Sequence, residues 1–572
     1  MRTKFLVSWV IGASVLFSAG FSSHASAQGN LIGEAYKAVS PTQAMQDYKS
    51  VIETINADLI KGAATSHGGR VKPFDTLARE TMLYVNGRYG RYGDPAQMYI
   101  AMMVSPSSPW VEMVEVREPD IRTQLGFLKT QRLVSLADLE ATNFMSRVEP
   151  LLQKQQEDSH SLNTEQKAWI ELFNQYSLLR SVVMGDHLIG SMDFSHLFKG
   201  EASTVEATKA KVVDYLKAVR ANPQPDSPAV QTAAQALVSY SRAQKTPDLY
   251  AHYLDKLDLE VLFNKTQIFL WAAIMYLLLG SVFLYPESRK KVTKKTGIIF
   301  FAIPLAIQII GLGLRVYITR FAPVTNMYGT MIWVALGVNV FSLLLYALYG
   351  NALISGFMLM TSGVILFLAQ SFPLILSPDL DPIVAVLRNN FWLSTHVTTI
   401  TISYAAFSIA MILGNVTLVR MLLGYDTKTF VQEFEKHAYR AVQLGCFLLT
   451  VGIILGGVWA DYSWGRFWGW DPKETWALIA DLAFLALMHA RFIGWSRGFM
   501  FLALTPVAYL MVLMAWYGVN FILAAGLHSY GFSSGGAMAV SIFVVIQLCV
   551  LAAAVIKHQR SRSAGAGGSG SV

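Results

Sequence analysis

Five tryptophans, Trp459, Trp464, Trp468, Trp470 and Trp476, fall within 18 residues of the stretch WADYSWGRFWGWDPKETWALI. Indole rings at this density can build a flat aromatic surface, and Gly465 and Gly469 between them let backbone or a planar ligand approach closely. The same rings also suit an interfacial belt, where indole sits between lipid and water. A belt needs no glycines between its rings, so a binding surface is the favoured reading. Arg466 adds a guanidinium that suits a carboxylate, or equally a lipid headgroup. Asp471 and Glu474 have two readings: ligand-facing carboxyls, or a helix start with Asp471 as N-cap, Pro472 in the first turn and Glu474 closing a capping box.

Two histidines flank this stretch. His396 opens an apolar run after NNFWLST, and His528 follows another after Gly526 and Leu527. Heme iron takes axial imidazoles on opposite sides of a flat macrocycle, so the pair and the tryptophan stretch together fit a bis-histidine heme site. A lone histidine at a helix end is as readily an interfacial residue. His489 lies 15 residues beyond Glu474, about 22 Å along a helix. It cannot share an iron with the other two and marks a separate, inner position. His437 reads as solvated in a charged loop. The two cysteines, Cys446 and Cys549, sit in apolar runs, and no CxxC or CxxCH occurs. A disulfide framework, a cysteine zinc site and a covalently carried c-type heme are thereby excluded.

The elements that must position these residues are membrane helices. The chain has 572 residues, 53% of them hydrophobic and only 15% charged, a composition of a polytopic membrane protein. Nine apolar runs approach the length of about 20 residues that crosses a bilayer; the outermost begin near residue 267 and end near residue 556. An amino-terminal segment, MRTKFLVSWVIGASVLFSAGFSSHASAQ, reads as a signal peptide over 1–27, or else an uncleaved anchor. Residues 28–262 contain no span-length run and carry helical periodicity, so a mostly helical extracytoplasmic domain is expected there. Within it, HGGRVKPFDTLARE reads as a glycine turn followed by a helix, and its histidines (His67, His160, His187, His196, His252) as surface or packed residues. Residues 557–572 are expected to be a disordered cytoplasmic tail.

Charge supports one orientation. Residues 1–262 hold 26 basic and 28 acidic residues, the remainder 20 and 10. With residue 262 outside, 14 of those 20 basic residues fall in cytoplasmic segments, as the positive-inside rule requires. His396, the tryptophan stretch and His528 then share the outer face, and His489 lies near the cytoplasmic side. Basic residues spread through such loops do not form a nucleic-acid surface.

WGRFWGWDPKETWALI resembles the WWD signature of the heme-handling protein superfamily. With His396, His489 in LMHAR and His528 in GLHSYG, residues 263–556 resemble the CcsA/ResC branch, the System II cytochrome c biogenesis proteins. RFAPVTNMYGTMIWVAL is similar to another stretch of that branch, with Gly329 and Thr330 where an acidic-serine pair is more usual. The resemblance implies an inner-membrane protein that carries heme b outward. There it supports thioether attachment to a CxxCH apocytochrome c, a holocytochrome c synthase (heme lyase) activity. It implies that His396 and His528 ligate the outer heme iron and, with Asp471, form the catalytic set. Trp464, Gly465, Arg466, Trp468, Trp470, Asp471, Glu474 and Trp476 would bind the heme, and His489 would belong to an inner heme site. A ResB/CcsB-like membrane protein and thiol-reducing proteins are the implied partners. Arg315, Arg320 and Arg388 join Arg466 as possible partners of the heme propionates. The competing reading is a membrane transporter or electron-transfer component that binds another flat or lipid-linked ligand.

Overall fold

The computed structural model describes residues 39–158, 161–198, 203–222, 224, 227–382, 390–425, 428–523 and 536–567. The expected signal peptide, His160, Arg388 and His528 lie outside the described residues. The chain divides into two compact units, Met1–Leu262 and Phe263–Val572.

The amino-terminal unit is mostly helical. Its core gathers Tyr48, Phe74, Met82, Tyr99, Val182 and Tyr215, all fully or almost fully buried. The glycine turn is a two-residue hairpin: β1 (Ala64–His67) pairs antiparallel with β2 (Arg70–Pro73). Gly68 and Gly69 both have positive φ, 64° and 77°, as the tight turn matching strand twist requires. Pro73 then caps the helix Phe74–Asn86. A second short hairpin joins β3 (Val114–Glu115) to β4 (Leu133–Val134). Neither hairpin was visible as alternation, because each strand has four residues or fewer. Arg70 clamps Glu260 through two hydrogen bonds of 2.8 and 2.7 Å, and Thr76 adds a third. This buried pair ties the hairpin to Glu260 near the end of the same unit.

Nine helices among the described residues are long and apolar enough to cross a membrane, and all but the first six residues of the first belong to the second unit. They are Leu257–Leu284, Lys294–Thr319, Met327–Tyr349, Ala352–Ser371, Ser394–Leu423, Phe430–Trp464, Pro472–Phe492, Phe499–Leu523 and Ala537–Arg560, called here the first to ninth spans. The expected class, a polytopic helical membrane protein with about nine spans behind a mostly helical domain, is the one observed. Hydrophobic burial does not drive helices together inside lipid, so close packing and polar clasps must. Gly280, Gly356 and Gly363 let the first and fourth spans touch at backbone distance: a methyl on Gly280 would lie 3.0 Å from the Met360 nitrogen. Tyr276 donates to Gln308, which donates to the Ile332 carbonyl, linking the first three spans. The rings of Phe407 and Phe484 stack at 3.9 Å between the fifth and seventh.

Two boundaries differ from expectation. The helix holding the sixth span starts at Lys428, so His437 is not in a loop. Its ring is buried at 4% exposure, packs edge-on against Tyr349 at 5.2 Å and uses Nδ1 on the Glu433 carbonyl. The solvated reading is therefore corrected: the third turn of this helix presents His437 to Tyr349 at the end of the third span. The last helix runs on to Gly567, past the boundary expected at residue 556, carried by helix-compatible Lys557, His558, Gln559 and Arg560.

Candidate functional site

The starts of the third, fifth and seventh spans and the ends of the sixth and eighth meet around one cavity. His396, Trp459, Trp468, Lys473, Glu474 and Trp516 are on its wall, with Asn326, Thr330, Tyr404, Gly456, Gly457 and Asn520.

His396 sits in a five-residue π-helical turn, Leu393–Val397, at the head of the fifth span. The local sequence STHVTT explains the loosened turn. The hydroxyls of Thr398, Thr399 and Thr401 each bond back to a carbonyl four residues earlier, competing with the helix ladder. His396 Nδ1 is 2.8 Å from the Gly452 carbonyl oxygen. A carbonyl only accepts, so Nδ1 carries the proton and the lone pair is on Nε2. The ring lies 6.0 Å from Trp459 at an angle of 32°. It rests against bare Gly456, where a Cβ would stand 2.4 Å from Cε1. A histidine fixed in this tautomer, with its ring plane set by packing, has the orientation that metal-ligating histidines receive from their surroundings.

The tryptophan stretch is shaped by the two carboxyls. Asp471 is buried and caps the seventh span, accepting from the Lys473 amide at 2.9 Å. Glu474 Oε2 accepts from the amides of Gly469 and Asp471, completing the capping box. Its Oε1 takes Arg466 at 3.1 Å. One carboxylate therefore ties both sides of the loop, and the helix-start reading of Asp-Pro-Lys-Glu describes what these groups do here. Trp470 is held at φ 56°, a left-handed conformation unusual for a bulky residue, and is 71% exposed. Its ring meets Trp468 edge-on at 5.8 Å, while Trp464 packs on Trp459 at 5.2 Å under the Arg466 guanidinium. Gly465, at φ 68°, turns the chain out of the sixth span.

Of the residues singled out from sequence, His396, Trp459, Trp468 and Glu474 are brought to the cavity wall. Trp464, Gly465, Arg466, Trp470, Asp471 and Trp476 are not on that wall; Trp464, Arg466 and Asp471 shape the loop behind it. His489 is exposed at the opposite end of the seventh span, as its spacing predicts. Arg315 is buried, donating to the carbonyls of Pro378 and Asp379. Sequence reasoning missed Lys473, Trp516 and Asn520. Trp516 Nε1 donates to Thr330 at 3.0 Å and Lys473 Nζ to Asn520 Oδ1 at 2.8 Å. Trp516 and Asn520 lie in a second π-helical segment, Met514–Leu523, so their spacing on an ideal helix misplaces them. The Gly456-Gly457 pair inside an apolar run was the available signal of close approach to the cavity.

The profile of the cytochrome C assembly protein family matches residues 324–528, a stretch running from the cavity wall at Val324 to His528. Protein NrfI of Wolinella succinogenes is 27% identical over 505 residues, covering 81% of this chain and 53% of NrfI. That match is longer than the carboxyl-terminal unit and so reaches into the amino-terminal one. The cytochrome c biogenesis protein CcsA of Chlamydomonas reinhardtii is 35% identical over 226 residues, 37% of this chain and 61% of that protein. CcsA of Prochlorococcus marinus is 31% identical over 287 residues, 45% of this chain and 89% of that protein. The chain thus spans about half the length of NrfI and about three fifths of the Chlamydomonas protein. By class this is a multi-pass membrane protein of cytochrome c assembly. Within that class, the chain belongs to the CcsA family of cytochrome c biogenesis proteins.

Proposed function

We propose that this protein presents heme b as its cargo in the cavity around His396 and supports its covalent attachment to a CxxCH apocytochrome c. The observation that carries this reading is the state of His396: Nδ1 donates to Gly452 and the ring is packed against Gly456 and Trp459. Its Nε2 lone pair is thereby oriented for iron. His528, outside the described residues, is the proposed second axial ligand, and His489 marks an inner loading position on the cytoplasmic side. The cavity end faces outward, because most basic residues of the membrane unit flank the opposite helix ends.

In attachment, each cysteine thiol adds across a heme vinyl group. A carbon–sulfur bond forms, the thiol proton ends on the neighbouring vinyl carbon, and no leaving group departs. The protein supplies no nucleophile. Its contribution is to hold the macrocycle in the cavity against Trp468, beside the exposed Trp470, so that a docked thiol meets a vinyl group, a gain from proximity and orientation. A ResB/CcsB-like membrane protein completes the inner site, and thiol-reducing proteins keep the CxxCH cysteines reduced.

The test is co-expression with a CxxCH apocytochrome and a ResB-type partner in cells lacking their own maturation system, with covalent heme detected after denaturing electrophoresis. Heme-stained cytochrome that disappears with His396→Ala supports the proposal. Unchanged cytochrome in that variant, or its absence with the wild-type protein, contradicts it.

A further inference from the structure

Lys473 is the one Lys or Arg side chain on the described cavity wall. Its Nζ donates to the neutral amide of Asn520. The two carboxylates nearest in sequence are engaged in other bonds: Glu474 takes Arg466 and two loop amides, and Asp471 caps the helix. An ammonium has three donor positions. Set in a partly desolvated wall of aromatic and apolar groups beside the charge of Asp471, it keeps donor positions for a further acid group. Of the other described cations at this end, Arg466 lies on Glu474 and Arg315 on two backbone carbonyls.

We propose that Lys473 is the carboxylate clamp of this cavity: its ammonium moves from Asn520 onto a propionate of the bound tetrapyrrole, so that cargo is selected by its acid group as well as by iron ligation. This rests on the heme reading above. Asn520 holds the ammonium at the wall when no acid is bound, and a hydrogen bond to a neutral amide is readily exchanged for a charge-assisted one. Lys473 is thus a specificity-determining residue, distinct from the iron ligands.

The experiment titrates the detergent-purified full chain with heme b and with its dimethyl ester, which keeps iron and macrocycle but has no free carboxylate, reading the Soret band. The wild type is expected to bind the acid more tightly than the ester. In Lys473→Met the acid-to-ester affinity ratio falls about thirtyfold while ester affinity is retained, and Lys473→Arg keeps most of the preference. A wild-type ratio near one, or a ratio that survives in Lys473→Met, overturns the proposal. If Lys473→Met does not fold, the wild-type ratio and Lys473→Arg decide the matter. Failure of the heme reading looks different: neither ligand binds, or His396→Ala binds both with unaltered spectra.

Discussion

Replacing Gly456 with alanine adds one methyl group at the place where the sixth span touches His396. That carbon would lie 2.4 Å from Cε1, 2.8 Å from Nδ1 and 3.1 Å from Nε2 of the imidazole, where ordinary contact begins at 3.4 Å. The ring must therefore retreat by about 1 Å, a displacement that takes the 2.8 Å bond to the Gly452 carbonyl beyond hydrogen-bond length. Both the tautomer and the direction of Nε2 are then lost together. Misplacing a reacting group by about 1 Å can lower a rate on the order of a hundredfold. Helix propensity acts in the opposite direction, because alanine is favoured over glycine in a helix interior by roughly 1 kcal/mol. The variant should thus fold, yet yield cytochrome at a rate about a hundredfold below wild type and carry heme whose low-spin ligation is lost and returns with added imidazole. Gly313→Ala, where nothing lies within 4 Å of the added carbon, is the control and should behave as wild type. Normal low-spin heme and normal maturation in Gly456→Ala would refute the argument that packing on this glycine sets the ligand.

Glu474→Ala removes the group that joins Arg466, Gly469 and Asp471. It should lower stability by about 1 kcal/mol as a lost cap and reduce heme content, whereas Glu474→Gln, which keeps acceptor oxygen, should do less; thermal melts and heme-to-protein ratios check both. In the amino-terminal unit, burial and then the charge of nearby His67 push His187 from its ordinary 6.5 down to about 3. Its folded value lies below its unfolded one, so the unfolded chain takes up the proton first and stability rises with pH across this window. The contribution is complete above about pH 6.5 and is lost as pH falls towards 3. His187→Gln should accordingly show a smaller drop in melting temperature between pH 7.5 and pH 5 than wild type, and an equal drop would contradict the burial argument.

The spans were legible because an uninterrupted apolar run of bilayer length leaves few alternatives. Their ends were less so, since helices such as the one starting at Lys428 continue through charged residues once a turn finds something to pack against, as His437 does on Tyr349. The aromatic loop, His396 and the helix start at Asp471 could be read from residue types and local spacing. Lys473, Trp516 and Asn520 could not, because their roles depend on which helix ends meet, and π-helical turns at Leu393–Val397 and Met514–Leu523 shift the faces that a regular period assigns. Arg466 has guanidinium chemistry suited to a propionate, yet the fold gives it to Glu474.

The central claim is that this cavity holds heme iron through His396. Its most direct test is the visible spectrum and pyridine hemochrome of the purified protein, wild type beside His396→Ala, His528→Ala and the double substitution. The account predicts bound heme b with low-spin ligation that is weakened in each single variant, abolished in the double one and restored by imidazole. Heme retained with an unchanged spectrum in the double variant, or an intact wild-type protein without heme under heme-replete expression, would contradict it.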